Sequence, residues 1–103
     1  ESVAYDGGIY SIASDNNYLY VGGSALYVDN YYVAIIFKLN KSDLSKVAES
    51  ASDGEVIIES ITLDDNFIYI GGSGGGTRKV RKLNKVAYIW GNKKLKLIPI
   101  EVV

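Results

Sequence analysis

The chain contains no cysteine, no histidine and no methionine, and one proline among its 103 residues. The absence of cysteine excludes disulfides, thiolate zinc sites and a cysteine nucleophile. The absence of histidine removes the commonest general base and metal ligand, and with it any Ser-His-Asp triad. No apolar run approaches the roughly 20 residues of a membrane-spanning helix. We therefore expect a protein that is not an enzyme, with no catalytic residues, no metal, no cofactor and no membrane span.

What the chain does contain is typical of one small globular domain. Its apolar fraction is 48%, its charged fraction is 22%, and nine tyrosines account for most of its aromatic residues. This composition is too apolar for a disordered segment. The formal net charge is −1 and the calculated pI is about 5.3, which argues against a nucleic-acid-binding module.

An internal repeat dominates the sequence. Ile9 to Ser24, IYSIASDNNYLYVGGS, aligns without gaps with Ile58 to Ser73, IESITLDDNFIYIGGS, and nine of the sixteen pairs are identical. The segment KLNK then recurs in each copy, at 38–41 and at 82–85. Repeats of this length indicate that one supersecondary unit has been duplicated.

Each copy predicts short strands rather than helices. Runs rich in strand-forming residues stop at 15–17 and 64–66, where Asp and Asn favour turns. Further strands are predicted at 34–39 and 78–83. A fourth strand is predicted at 44–49, and its KVAE segment at 46–49 resembles KVAY at 85–88. The only helical element we expect is one turn near Ser42 to Ser45.

The repeated pattern, YVGG or YIGG followed by a variable loop and a strand ending in KLN, resembles kelch-type and quinoprotein-type β-propeller repeats. The residues that carry the resemblance are Tyr20, Val21, Gly22 and Gly23 in the first copy and Tyr69, Ile70, Gly71 and Gly72 in the second, where the paired glycines close the second strand. The resemblance implies an all-β fold with two tandem four-stranded antiparallel propeller-type blades and a C-terminal hairpin or edge strand. It implies nothing specific about activity, because propellers host many unrelated functions.

We therefore expect a single repeat domain over 1–103. Residues 1–8 would complete a preceding or neighbouring blade, and the blades would occupy 9–50 and 56–90. Residues 91–103 would extend the end of the chain, with 91–93 as a hairpin turn.

Two blades cannot close a propeller, which uses four to eight. Ile12, Leu19, Ile61 and Ile68 are accordingly predicted to be partly exposed, unless the chain is part of a longer propeller or associates with other copies. Residues 1–65 contain eleven acids and three bases, whereas residues 66–103 contain eight bases and one acid. Complementary halves favour head-to-tail association into a ring or a filament.

The sequence thus predicts a non-catalytic structural or interaction protein whose partner is itself or the missing blades. The candidate assembly residues lie in the basic half: Arg78, Lys79, Arg81, Lys82 and Lys85. Nucleic acid as the partner of this basic segment is disfavoured, because few aromatic residues accompany it.

A Tyr-rich loop over 24–32 supports an alternative function. Tyr27, Tyr31 and Tyr32 offer flat, amphipathic rings of the kind that binding loops use, with glycans as a candidate ligand. The competing interpretation is that these rings pack between blades. An extracellular or cell-surface location is the expectation that accompanies either function. A third alternative is that the chain is a fragment of a larger propeller protein whose site lies elsewhere.

Overall fold

A computed structural model describes residues 2–4, 8–24, 27–28, 31–32, 34–51, 57–74, 76–90 and 94–99. This part of the chain is built from ten strands and contains no α-helix. The strands are Gly8–Ser14 (β1), Tyr18–Ser24 (β2), Tyr27–Val28 (β3), Tyr31–Tyr32 (β4), Ile35–Asn40 (β5), Lys46–Ala51 (β6), Ile57–Leu63 (β7), Phe67–Gly74 (β8), Thr77–Trp90 (β9) and Lys94–Pro99 (β10). The predicted all-β class is confirmed.

Two antiparallel units correspond to the two sequence repeats. The first repeat is the four-stranded meander β1-β2-β5-β6, and the second repeat is the three-stranded meander β7-β8-β9. Strand β10 pairs antiparallel with β9 and meets β6 in a parallel bridge between Lys96 and Glu49. These eight strands therefore form one sheet, and its two edge strands, β1 and β7, do not pair with each other in the described part of the chain. Strands β3 and β4 form a separate two-stranded sheet.

The second repeat differs from its predicted form. The strand predicted at 78–83 and the fourth strand predicted at 85–88 are one continuous strand, β9. The first repeat has Ser42 to Lys46 between KLNK and Val47, whereas in the second repeat Val86 follows KLNK directly. Without those five residues the chain has no turn, so it continues along the same strand. The position of a fourth strand is taken by β10, which the sequence assigned to a terminal extension.

The turn that the first repeat retains is a single tight one. The Leu44 amide donates to the Asn40 carbonyl at 2.8 Å, and the Asn40 amide donates to the Ser45 carbonyl at 2.8 Å. Leu44 itself has a φ of 63°, a left-handed conformation that redirects the chain into β6. The predicted helical turn at this position is thus one turn that does not continue as a helix.

The two faces of each repeat are chemically distinct, because residues opposite each other in an antiparallel pair share a face. The tyrosine face carries Tyr18, Tyr20, Gly22, Ile36 and Lys38 in the first repeat, and Phe67, Tyr69, Gly71, Val80 and Lys82 in the second. The isoleucine face carries Ile9, Ile12, Leu19, Val21 and Leu39 in the first repeat, and Ile58, Ile61, Ile68, Ile70 and Leu83 in the second.

The core forms where the tyrosine face of the first repeat packs against the isoleucine face of the second. Tyr20 and Ile36 from the first repeat are buried with Ile58 and Ile68 from the second. Strand β7 lies across β1 and β2 at this interface. The two repeats therefore stack head-to-tail, with unlike faces in contact.

This stacking buries one of the four apolar residues that were predicted to be partly exposed. Ile68 is fully buried, so the prediction is wrong for it, whereas Ile61 is half-buried against the core, as predicted. Ile12 is 60% exposed and Leu19 is half-buried, as predicted. The difference arises because the isoleucine face of the second repeat is covered by the first repeat, whereas Ile12 lies on the opposite side of the stack.

Residues Ser2 to Ala4 are exposed and belong to no strand. Residue 1 and residues 5–7 lie outside the described part of the chain, so the prediction that 1–8 completes another blade stays a prediction. The predicted terminal hairpin is present as the pairing of Trp90 with Lys94, although its turn at 91–93 is also outside that part.

Candidate interaction site

One aspartate in the first repeat organises a turn and a strand. Asp15 Oδ1 accepts hydrogen bonds from the amides of Asn17 at 3.0 Å and Tyr18 at 2.8 Å, and its Oδ2 accepts from the Tyr20 hydroxyl at 3.0 Å. Aspartate suits this position because its short side chain reaches amides two and three residues ahead. The carboxylate thereby ties the hairpin turn to the strand that leaves it.

The second repeat reproduces this arrangement. Asp64 Oδ1 accepts from the amides of Asn66 at 2.9 Å and Phe67 at 2.7 Å, and its Oδ2 accepts from the Tyr69 hydroxyl at 2.6 Å. A backbone bond recurs as well, since the last lysine of each KLNK segment donates its amide to the turn: Lys41 to the Asn17 carbonyl at 3.0 Å and Lys85 to the Asn66 carbonyl at 3.3 Å. The aspartate turns of the two repeats are therefore equivalent in detail.

A lysine covers an aromatic ring at the same place in each repeat. Lys38 Nζ lies 4.1 Å from the centre of the Tyr18 ring, and Lys82 Nζ lies 3.9 Å from the centre of the Phe67 ring. Both are within the range of a cation–π interaction. We call Asp15, Tyr18, Tyr20 and Lys38 the first aspartate–aromatic site, and Asp64, Phe67, Tyr69 and Lys82 the second.

The first site is filled by the second repeat. The Lys85 ammonium lies 3.3 Å from Asp15 Oδ2, and the Lys38 ammonium donates to the Lys85 carbonyl at 2.6 Å. Lys38 is a buried lysine, so its hydrogen bond and its aromatic contact offset the loss of water around its charge. In one contact the second repeat supplies the ammonium, and in the other the first repeat does; together they join the repeats at the edge of the core.

Protonation in the first site follows from burial and hydrogen bonding. Burial pushes the pKa of Asp15 upward, but the hydrogen bonds from Asn17, Tyr18, Tyr20 and Lys85 outweigh it and hold the pKa below its ordinary value. Burial, reinforced by the bond to Asp15, raises the pKa of Tyr20. Burial lowers the pKa of Lys38, although the charge of Asp15 opposes this.

The second site is open. Asp64 is exposed and Tyr69 is partly exposed, whereas Tyr20 is fully buried. The hydrogen bond from Tyr69 lowers the pKa of Asp64 and raises that of Tyr69 itself. The site therefore presents an ionised carboxylate beside aromatic rings, an arrangement that suits a cation or an ammonium group.

The same asymmetry holds for the apolar residues around each site. Ile36 beside the first site is 1% exposed, and its counterpart Val80 beside the second is 83% exposed. On the other face, Ile58 of the second repeat is 1% exposed, and its counterpart Ile9 of the first repeat is 58% exposed. On that face of the first repeat Ile9 and Ile12 are exposed, whereas Val21 and Leu39 are buried.

The five predicted basic residues do not lie on one face. Arg78 and Lys82 are on the tyrosine face, and Lys79 and Arg81 are on the isoleucine face, as their register with β8 requires. Lys85 reaches back to Asp15. The predicted cluster of basic residues is therefore divided between the outside of the molecule, the second site and the contact between repeats.

The three tyrosines of the predicted binding loop lie on a small hairpin in which Tyr27 pairs with Tyr32 and Val28 with Tyr31. Their side chains fall outside what the structure describes, so glycan binding there stays a prediction.

A surface pocket of about 500 Å³ lies near the first site and is lined by Asn16, Asn17, Tyr18, Asn40, Lys41 and Ser42.

Two of the signature glycines have different surroundings. A Cβ built on Gly22 would lie 2.7 Å from Ile58 Cγ2 and 3.1 Å from Ile61 Cδ1, so the glycine lets β7 approach β2. A Cβ built on Gly71 would meet, among the described residues, only Ser60 Oγ, at 2.9 Å. Of the other pair, Gly23 lies against the Gly8 carbonyl, and Gly72 is opposite Ile58 in the β7-β8 hairpin.

Sequence reasoning assigned Asp15 and Asp64 to turns and overlooked the tyrosine hydroxyl that donates to each of them and the Lys85 ammonium beside Asp15. The signal was present, because an aspartate five residues before a tyrosine and a lysine at the end of KLNK occur in both copies.

No protein-family model, no curated protein and no solved structure matches this chain. In the part of the chain that the structure describes, no helix has the length and apolar character to cross a membrane. Across the same residues, no three acidic side chains come together as a metal site would require.

Proposed function

We propose that this protein is a non-catalytic structural or interaction protein that self-assembles by stacking propeller-type repeats. In this proposal the isoleucine face of one copy's first repeat covers the tyrosine face of another copy's second repeat. The observation that carries the proposal is the internal packing of opposite faces, which leaves Ile9 and Ile12 exposed on the isoleucine face of the first repeat and Val80 exposed on the tyrosine face of the second.

The exposed apolar residues support this interpretation. Scattered apolar residues on a surface are ordinary. Here, however, Ile9 and Val80 occupy the positions whose counterparts, Ile58 and Ile36, are buried at the contact between repeats. A second copy placed as the repeats are placed would bury both.

The distribution of charge also favours association between unlike surfaces. The first 65 residues are strongly acidic and the remainder strongly basic. Contact between unlike surfaces generates a ring where the rotation closes and a filament where it does not.

Sedimentation velocity over a range of protein concentrations tests the proposal. We expect concentration-dependent association that weakens as salt is raised, because the contacting charges are screened. Val80→Asp should abolish association, since an aspartate would be buried in the contact, whereas Val80→Ile should preserve it. A chain that stays monomeric at every concentration and salt, or a Val80→Asp variant that associates normally, contradicts the proposal.

A further inference from the structure

We infer that the second aspartate–aromatic site binds the Lys41 ammonium of a second copy of this chain. Asp64 Oδ2 would accept from Lys41 of that copy, and Lys82 would donate to its Lys41 carbonyl. The inference rests on the proposed self-assembly and specifies the polar contact that directs it.

The same contact already exists within one chain. Lys85 of the second repeat meets Asp15 of the first through its ammonium, and its carbonyl accepts from Lys38. Asp64 and Lys82 are the counterparts of Asp15 and Lys38. The second site therefore has both groups that hold the lysine in the first.

Lys41 is the group that fits, because it is the counterpart of Lys85. Each of these lysines ends a KLNK segment and donates its amide to the asparagine carbonyl of its own turn. Lys41 is exposed, and its ammonium donates to the Asp15 carbonyl at 3.1 Å. An ammonium has three donors, so this bond leaves others for a carboxylate on another chain.

The direction of the contact is set by the asymmetry of the chain. If the repeats were related by a two-fold axis, Lys41 would meet Asp64 as Lys85 meets Asp15. Instead Lys41 donates to the backbone carbonyl of Asp15 in its own repeat, while Lys85 meets the Asp15 carboxylate from the other repeat. The relation between repeats is thus head-to-tail, and its continuation brings the first repeat of the next copy onto the second repeat of this one.

Two variants on opposite sides of the contact test the inference. Lys41→Glu removes the ammonium, and Asp64→Asn removes the charge while retaining an oxygen that accepts the two turn amides. We expect each variant alone to associate about tenfold or more weakly than the parent chain. An equimolar mixture should recover association between one chain of each kind, because one chain supplies an intact Lys41 and the other an intact Asp64.

Light scattering after size exclusion reports the stoichiometry, and circular dichroism checks that each variant is folded. Lys41→Arg and Asp65→Asn are the matched controls and should associate as the parent does. If the parent associates but both variants associate equally well, or if the mixture recovers nothing, the inference is wrong and self-assembly stands. If the parent itself is monomeric, self-assembly and the inference both fail.

Discussion

In each repeat, one carboxylate accepts from two backbone amides and from a tyrosine hydroxyl five residues later. Glutamate has an extra methylene, which would displace its carboxylate from the two amides of so tight a turn. Asparagine would keep the amide bonds and lose the charge that attracts Lys85 to Asp15. Aspartate at this position thus has a local cause in both copies, the turn, and for Asp15 also a longer-range one, the Lys85 ammonium of the second repeat.

The lowered pKa of Asp15 has a consequence for stability. An aspartate in an unfolded chain titrates near pH 4. Because the folded protein holds the Asp15 pKa below that value, its ionised form contributes stability that is complete above about pH 4 and is lost as pH falls toward the folded pKa. We expect Asp15→Asn to be less stable than the parent at neutral pH and to approach it below about pH 4.

Urea unfolding followed by circular dichroism at a series of pH values measures this difference. Asp65→Asn, which changes an exposed carboxylate in the other turn, serves as the control and should track the parent at neutral pH. A difference between Asp15→Asn and the parent that is the same at acidic and neutral pH would count against the role assigned to this carboxylate.

Among the strands, the close approach of β7 to β2 depends on the absence of a side chain at Gly22. We expect Gly22→Ala to lower the free energy of unfolding by about 1–3 kcal/mol, since the added methyl overlaps Ile58 and Ile61. Gly71→Ala should change it by less than about 0.5 kcal/mol, because the neighbouring Ser60 hydroxyl can rotate away.

This pair of substitutions is well matched, because neither glycine has a positive φ and both occupy the same position of the repeat. Denaturant midpoints at low protein concentration give the comparison without a contribution from association. Equal effects at the two positions would mean that the repeats do not stack through the faces described above.

The strands and turns of each repeat were predictable from the sequence, because Asp and Asn clusters interrupt runs of strand-forming residues at matching places. The continuous β9 was not predicted, because KVAY at 85–88 resembles the separate strand at 46–49. The second repeat lacks the five residues that form the turn in the first, and this deletion is visible only when the two copies are aligned. The sequence also did not indicate which face of each repeat is buried. Ile12 and Ile61 hold the same motif position, and only the packing of one repeat on the other makes the first exposed and the second part of the core.

For the molecule as a whole, the core belongs to neither repeat alone. Tyr20 and Ile36 are covered by Ile58 and Ile68, so separating the repeats would expose both sides of the contact. Small sheets with one uncovered apolar face are seldom stable in water. We expect fragments 1–51 and 57–103 to lack cooperative unfolding individually and to regain it when mixed.

Circular dichroism during thermal unfolding, for each fragment and for the mixture, measures this outcome. The opposite net charges of the two halves should speed their reassociation at low salt. A cooperative transition in either fragment by itself would show that a repeat has a sufficient core of its own.

Because the repeats stack through unlike faces, the architecture suits growth by gene duplication. A third tandem copy following the second would find a tyrosine face with its aspartate, its lysine and its glycine already in place. We expect the isoleucine face of that copy to pack there as the isoleucine face of the second repeat packs on the first, and its own tyrosine face would then be the exposed one. Contacts related by a two-fold axis would end such an array after two units. Head-to-tail contacts instead let it lengthen one unit at a time.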